Sequence, residues 1–195
     1  MRKLPIITTL QFTILFILPF ALLQSNITFA QEKPFILKTN LPNYFLFGGA
    51  NIAFEKSITT TQSYLIDIGY GDYRYRDFDD ERDKFYQITF QFRRYYTDKS
   101  LSGFFVSPYV RYRIKDIYQT YKEFLFVPIS DGKDFMAHSI NLGGSIGYQH
   151  FVFKKISLEL NLGAGAGVNI FSTGRTYPSL IRVDGLAALS AGYKF

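Results

Sequence analysis

The 195-residue sequence contains no cysteine, no tryptophan and only two histidines. Without cysteine the chain can form neither a disulfide nor a thiolate metal site. A lipoprotein anchor is excluded as well, because that anchor needs a cysteine at the cleavage point. With so few histidines, a transition-metal site is not expected, and no other cofactor motif is present.

Long apolar runs and a coherent basic patch are also missing. Beyond the N-terminal region no run of about 18 apolar residues occurs, and the mean hydropathy is +0.00, so no membrane-spanning helix is predicted. The net charge is +6, but the basic residues are scattered and several adjoin acids, as in residues 79–84. This pattern does not predict nucleic-acid binding. What the chain has instead is 21 Phe and 15 Tyr, which are typical of strands and of membrane-interface girdles.

The first 30 residues have the pattern of a signal peptide. A basic head, Met1-Arg2-Lys3, precedes a mostly apolar run from Ile6 to Leu23, and small residues lead up to Ala30. We therefore predict cleavage between Ala30 and Gln31 and one mature domain in residues 31–195. Because the apolar run is long for a signal peptide, an uncleaved membrane anchor is the alternative.

The mature chain alternates apolar and polar residues with a period of two. In the clearest segment, Ile156, Leu158, Leu160 and Leu162 alternate with Ser157, Glu159, Asn161 and Gly163. Such alternation indicates a strand with one apolar and one polar face. Similar segments begin near residues 35, 50, 64, 86, 104, 140, 156 and 183. The sequence therefore predicts about eight antiparallel strands.

A soluble sandwich would also alternate, but three features favour a transmembrane barrel. The strands are about ten residues long, as a tilted membrane crossing requires. Their polar faces carry many small residues, which a narrow lumen needs and a solvated face does not. These small residues are Gly143, Gly147, Gly163, Gly165, Gly167 and Gly192.

The third feature is the length of the connections, which alternates along the chain. Short links are predicted near 56–62, 97–102 and 149–155. Longer links are predicted near 71–84, 115–136 and 171–182, and a short apolar one near 42–48. Short periplasmic turns with longer outer loops are the arrangement of outer-membrane barrels. The predicted fold is thus an eight-stranded antiparallel barrel in a Gram-negative outer membrane, with both termini in the periplasm.

The chain ends in an aromatic strand, from Leu189 to Phe195. Tyr193 and Phe195 alternate with polar residues and resemble the C-terminal signal that the barrel-assembly machinery reads. An ordinary last strand that happens to end in Phe is the alternative. We expect this machinery to be a partner during biogenesis.

Three short motifs resemble an uncharacterised family of small outer-membrane barrels common in Bacteroidota, of the OmpA and OmpX type. They are Leu37-Lys38-Thr39-Asn40-Leu41, Ser145-Ile146-Gly147-Tyr148, and Leu158 to Gly165. The resemblance implies the barrel fold and the outer-membrane location, and it implies no activity.

If the apolar faces contact lipid, nine charged residues face the lumen. They are Lys38, Glu55, Asp67, Arg93, Arg111, Arg113, Glu159, Asp184 and Lys194. Their signs nearly balance, and buried charges must be paired, so we predict an ion-paired network in a closed lumen. The alternative is a path for protons or solutes, although eight strands leave little room for an open pore.

No catalytic constellation is apparent. One family of outer-membrane lipid A deacylases uses a His and a Ser two residues apart, with a Glu further on. Here His138 and Ser139 are adjacent, so on one strand they point to opposite faces, and Glu159 follows. His150 falls in a predicted turn. We therefore predict no enzyme activity, with a lipid A-modifying enzyme and a narrow channel as the alternatives.

The predicted outer loops contain the remaining candidates for binding. Residues 71–81 mix Tyr and Arg, which are common at binding hot spots, with acids that lack the EF-hand spacing for Ca²⁺. Tyr118, Tyr121, Phe124 and Phe126 could bind a ligand or could extend the strands above the membrane. The predicted function is structural or loop-mediated binding. The expected partners are outer-membrane lipid and an extracellular ligand or envelope component.

Overall fold

A computed structural model describes residues 34–45, 48–73, 82–97, 99, 101–124, 127–175 and 179–195. The side chains of residues 44–45, 73, 82, 119–124 and 127–133 are not described. The predicted signal peptide, its Ala30–Gln31 cleavage site and the loop at 74–81 lie outside the described residues. Within the part of the chain that is described, no helix is both long and apolar enough to cross a membrane.

Eight antiparallel strands close into a barrel in sequence order, and this confirms the predicted fold. The ring is completed where the first strand pairs with the last, for example Ile36 with Lys194. The strands are β1 (Phe35–Asn40), β2 (Ala50–Ser57), β3 (Gln62–Tyr73), β4 (Arg82–Tyr95), β5 (Gly103–Phe124), β6 (Val127–Phe151), β7 (Ile156–Gly174) and β8 (Ile181–Lys194). A short helix, α1 (Leu41–Phe45), lies in the predicted first outer loop.

The alternation in the sequence sets the two faces of the barrel wall. On β7 the leucines at 158, 160 and 162 are 43–53% exposed, whereas Ser157, Glu159 and Asn161 are at most 3% exposed. On β4 Ile88, Phe90 and Phe92 likewise face outward, whereas the alternate residues Thr89, Gln91 and Arg93 are buried. The exterior is therefore apolar and the lumen is polar, which is the reverse of a water-soluble domain.

The predicted third outer loop is wrong, because most of residues 115–136 are strand. β5 continues to Phe124 and β6 begins at Val127, with Gln119 paired to Lys133 and Tyr121 to Asp131. Polar residues interrupt the apolar alternation there, and hydrophobic pattern alone does not find a strand that has no apolar face to bury. The predicted links near 71–84 and 171–182 are shorter as well, since β3 ends at Tyr73 and β7 at Gly174.

The two ends of the barrel differ. The terminal end carries Phe35, Phe195 and the connections at 58–61, 96–102 and 152–155; the opposite loop end carries the longer connections. An apolar plug fills the lumen at the terminal end. The plug consists of Ile36, Tyr95, Leu101 and Phe105, each at most 2% exposed. Leu101 enters the barrel from its turn with a left-handed backbone, φ 59°.

Glycines on β6 make room for aromatic rings that lie across the lumen. A Cβ placed on Gly143 would stand 2.4 Å from Cζ of Tyr109, and one on Gly147 would stand 2.4 Å from Cζ of Phe105. The two rings on β5 therefore occupy the space that a side chain on β6 would otherwise need. Side chains fill this part of the lumen, as expected for a barrel of this size.

Candidate functional site in the barrel lumen

A lower charge cluster lies next to the plug and joins four strands. Arg93 of β4 binds Glu159 of β7 through two parallel hydrogen bonds, Nη1–Oε2 of 2.7 Å and Nη2–Oε1 of 2.8 Å. Its Nη1 also donates to Oε2 of Glu55 at 3.2 Å, and Lys38 contacts both carboxylates. All four side chains are at most 2% exposed. Two cations and two carboxylates make this cluster electrically balanced.

Neutral groups saturate the lower cluster. Tyr95 donates to Oε1 of Glu55 at 2.7 Å, and Ser63 donates to the same oxygen at 2.5 Å. The guanidinium of Arg93 lies 4.4 Å from the ring centroid of Phe105, which is a cation–π contact with the plug. Buried ions are tolerated when their remaining hydrogen-bonding capacity is met in this way. The cluster therefore joins strands together, and each of its four charged groups has partners among the described residues.

An upper charge cluster lies nearer the loop end and centres on Asp184 of β8. Nη1 of Arg111 stands 2.9 Å from Oδ2 of Asp184, and Nη1 of Arg113 stands 3.2 Å from Oδ1. Tyr109 donates to Oδ2 at 3.0 Å. Two arginines thus share one carboxylate, so this cluster has an excess of positive charge.

Two of the nine predicted lumen charges lie outside these clusters. Asp67 accepts a 2.7 Å hydrogen bond from Asn51 and, among the described residues, has no ion pair. Lys194 does not join the predicted lumen network, because its ammonium lies 5.1 Å from the ring centroid of Phe151 at the terminal end. Lys194 pairs in register with Ile36, so the apolar plug separates its charge from the lower cluster.

A cavity of about 340 Å³ borders both clusters. Asp67 lines it, and so does Asn161, whose Oδ1 is buried and has no hydrogen-bond partner among the described residues. A polar cavity of this size can hold several water molecules, at roughly 30 Å³ each. Because the plug lies beyond the lower cluster, the geometry suits a water-filled chamber that ends inside the barrel.

The structure places the two candidate catalytic residues on different sides of the wall. Nδ1 of His138 lies 2.6 Å from the hydroxyl of Tyr112, and the imidazole packs edge-on against Phe171 on the outer face. Ser139 is fully buried in the lumen. The register of β6 on β7 shifts between the two residues without bringing their side chains together. His150 stacks on Tyr148 outside the barrel. In the described ranges, no group of three His, Asp or Glu residues could hold a metal ion.

Aromatic residues contact one another on the outer face at both ends of the barrel. Tyr70 and Tyr86 pair at 5.0 Å towards the loop end. At the terminal end Phe195 stacks on Phe35 at 4.8 Å and contacts Tyr193 at 5.0 Å. Both residues of the predicted assembly signal thus point outward. Aromatic girdles at the two edges of an apolar band are typical of membrane barrels.

The sequence pattern did not identify several lumen residues. Tyr95 and Gln149 hydrogen-bond within the lower cluster, and Arg182 reaches Ser139 near the loop end. Tyr95 lies on the same face of β4 as Arg93, and Gln149 lies on the same face of β6 as the polar residues Asn141 and Ser145. This alternation is the signal that could have found them.

The chain matches the protein family described as "Protein of unknown function (DUF3575)" over residues 14–177. None of the curated proteins matches the chain. Among solved structures, it is similar to the Yersinia pestis outer membrane protein Ail in a phospholipid bilayer nanodisc. The identity is 13% and the TM-score 0.44, over 85% of this chain and 100% of that one. It is also similar to Neisserial surface protein A (NspA), with 15% identity and a TM-score of 0.38, over 83% of this chain and 92% of that one.

Proposed function

We propose that this chain, which belongs to the DUF3575 family of proteins of unknown function, is a closed outer-membrane barrel with a structural or loop-mediated binding role. The observation that carries the proposal is the inverted wall, with leucine, isoleucine and phenylalanine outside and paired charges inside. In water such an exterior would be a large exposed apolar patch. In lipid it is the required surface, since a closed barrel satisfies every backbone hydrogen bond internally.

The height of the apolar exterior supports a single membrane crossing. The outward residues of β7 are apolar from Leu158 to Val168. Ten residue steps at about 3.3 Å each, tilted by about 40°, give a band roughly 25 Å tall. This is the height of the apolar band of outer-membrane barrels.

Resistance of the folded barrel to SDS tests the location. We expect the purified protein to migrate differently before and after boiling, and to fractionate with the outer membrane of a Gram-negative host. Recovery in the soluble periplasm, with no shift on boiling, would contradict the proposal.

We propose further that the terminal end faces the periplasm. Its short turns, compared with the longer β5–β6 hairpin at the loop end, support this orientation. The chain has no cysteine, so single cysteines report on the two ends without background. In intact cells, a membrane-impermeant maleimide should label Leu180→Cys at the loop end and spare Thr60→Cys at the terminal end. The opposite pattern would reverse the orientation.

The assembly-signal role of Phe195 can be separated from its packing role, because Phe35 provides a matched control. Replacing either residue removes the same stacking contact, the one between the Phe35 and Phe195 rings. We expect Phe195→Ser and Phe35→Ser to weaken refolding in detergent to a similar degree. Only Phe195→Ser should also lower the amount of barrel that reaches the outer membrane in cells. Equal assembly of the two variants would favour an ordinary last strand.

We infer that the barrel is not an enzyme, because the outward His138 and the inward Ser139 cannot act on one substrate atom. The test compares lipid A from cells that express the wild type or His138→Ala, by mass spectrometry. A lipid change that depends on His138 would support the lipid A-modifying alternative. The origin of the family in Bacteroidota stays a prediction, which the source organism of the chain would check.

A further inference from the structure

Among the described residues, the loop half of the lumen holds more positive than negative charge. Arg111 and Arg113 share Asp184, and two further cations, Lys115 and Arg182, lie beyond them towards the loop end. Among the described residues, the only carboxylate that pairs with either is Asp83, whose Oδ2 stands 3.9 Å from Nζ of Lys115. The lower cluster is balanced, so the imbalance is confined to this half.

Arg182 lies in the lumen and, among the described residues, has no counter-ion. Its Nη1 donates to Oγ of Ser139 at 3.2 Å. Its Nε is buried without a hydrogen-bond partner among the described residues, and none of the ion pairs between described residues in this half of the lumen involves Arg182. Arg182 is opposite Gly167 in the register, so no side chain stands between it and β6. A buried, unpaired guanidinium N–H group destabilises the fold unless something binds it.

Lys115 faces the same space from β5. Its side chain is 25% exposed and its contact with Asp83 is long. The charges of Asp83 and Asp184 attract its ammonium, and those of Arg113 and Arg182 repel it. Lys115 and Arg182 both line a cavity of about 180 Å³ at the loop end of the lumen. The cavity also borders Asn169, whose Oδ1 is buried and accepts no hydrogen bond among the described residues.

We propose that this cavity binds a phosphate group between Arg182 and Lys115. The guanidinium fork suits the oxygens of phosphate, and the ammonium adds a second charge-assisted contact. Hydrogen phosphate also carries an O–H, which the unpartnered Oδ1 of Asn169 can accept; a carboxylate offers no such donor. The volume is sufficient for one phosphate and a few waters. The site does not depend on where the barrel resides in the cell.

The test titrates inorganic phosphate into the whole barrel, refolded in phosphate-free maltoside micelles, and follows binding by calorimetry. We expect saturable binding that weakens at least tenfold in Arg182→Gln and also weakens in Lys115→Gln. Arg94→Gln is the matched control, because Arg94 is exposed on the outer face near the terminal end. Acetate should bind more weakly than phosphate. No saturable binding, or equal weakening by Arg94→Gln, would overturn the proposal.

Folding and ligand source are checked in the same material. Each variant should keep the SDS mobility of the folded barrel; if Arg182→Gln does not fold, Arg182→Lys keeps the charge without the fork and should bind with intermediate affinity. Unchanged binding by Arg182→Lys would overturn the role of the fork.

Competition by lipid A but not by its dephosphorylated form would identify a lipid headgroup as the source. Binding of inorganic phosphate without such competition would identify a free phosphate.

Discussion

Each carboxylate of the lower cluster serves more than one cation. Glu159 receives two hydrogen bonds from Arg93 and also contacts Lys38. The desolvation of such groups is costly, and the pairing recovers that cost only while every partner is present. The stability of the barrel should therefore be more sensitive to the loss of one carboxylate than to the loss of an exposed charge.

We predict that Glu159→Gln lowers the free energy of unfolding by about 3–5 kcal/mol, because it leaves Arg93 and Lys38 with one carboxylate in a buried site. Urea unfolding of the barrel in lipid vesicles would measure the change. Lys84→Gln is the control, because its 3.6 Å pair with Asp72 is partly exposed and should contribute less than about 1 kcal/mol.

The double variant Lys38→Gln/Glu159→Gln sharpens this test. It restores the balance of charge in the cluster, so we expect it to be less destabilised than the sum of the two single variants, by about 0.5–3 kcal/mol. Strict additivity would show that Lys38 and Glu159 do not act as one unit.

Two adjacent glycines on β6 provide a second residue-scale prediction. A Cβ on Gly143 would meet the Tyr109 ring and the backbone oxygen of Ala164 at 2.6 Å, whereas a Cβ on Gly144 would meet nothing within 4 Å. Gly143→Ala should therefore destabilise the barrel by about 1–3 kcal/mol through overpacking. Gly144→Ala should be neutral, or stabilising by up to about 1 kcal/mol. Equal effects would show that Tyr109 does not fill the space over Gly143.

At the scale of the elements, the sequence predicted the strand faces better than the strand ends. Faces follow from alternation, which lipid outside and a packed lumen inside impose on segments such as Leu158 to Val168. The ends of β5 and β6 could not be found in this way. Residues 119–124 and 127–133 pair only with one another beyond the barrel wall, so no apolar face marks them as strand.

The alternation of residues along each strand predicted which charged residues face the lumen, but it did not predict their partners. Alternation places Arg93 and Glu159 inside the barrel. Because β4 and β7 are not neighbours in the ring, only the closed barrel shows that these two side chains meet. Lys194 has the same parity, but its height along the barrel puts it beyond the plug. The surplus cation Arg182 lies past the segment of β8 where the alternation is clear.

The β5–β6 hairpin provides the element-scale prediction. β4 pairs with β5 only as far as Tyr118, and β7 pairs with β6 only from Phe135. We therefore predict that replacing residues 119–133 by an Asn-Gly turn leaves the free energy of unfolding within about 1 kcal/mol of the wild type, because that turn suits a two-residue hairpin. The SDS shift and urea unfolding would measure this. Loss of the folded band would show that the outer hairpin supports the wall.

At the scale of the whole molecule, the lumen changes in character from one end to the other. From the terminal end, the apolar plug is followed by the balanced lower cluster and then by the cavity of about 340 Å³. The positively charged half lies at the loop end. The lumen is thus blocked on one side and can receive a small ligand on the other. This asymmetry argues for binding at the loop end and against passage through the barrel.

Electrical recording distinguishes a closed barrel from a narrow channel. The plug and the lower cluster are two barriers in series, and an eight-stranded barrel is barely wide enough for its own side chains. We therefore predict that the wild type, inserted in a planar lipid bilayer, gives no resolved openings. Leu101→Ala, which thins the plug alone, should be equally silent because the ion pairs of Arg93 still span the lumen. Reproducible openings of uniform size by the wild type would contradict the closed lumen; openings by Leu101→Ala alone would assign the whole seal to the plug.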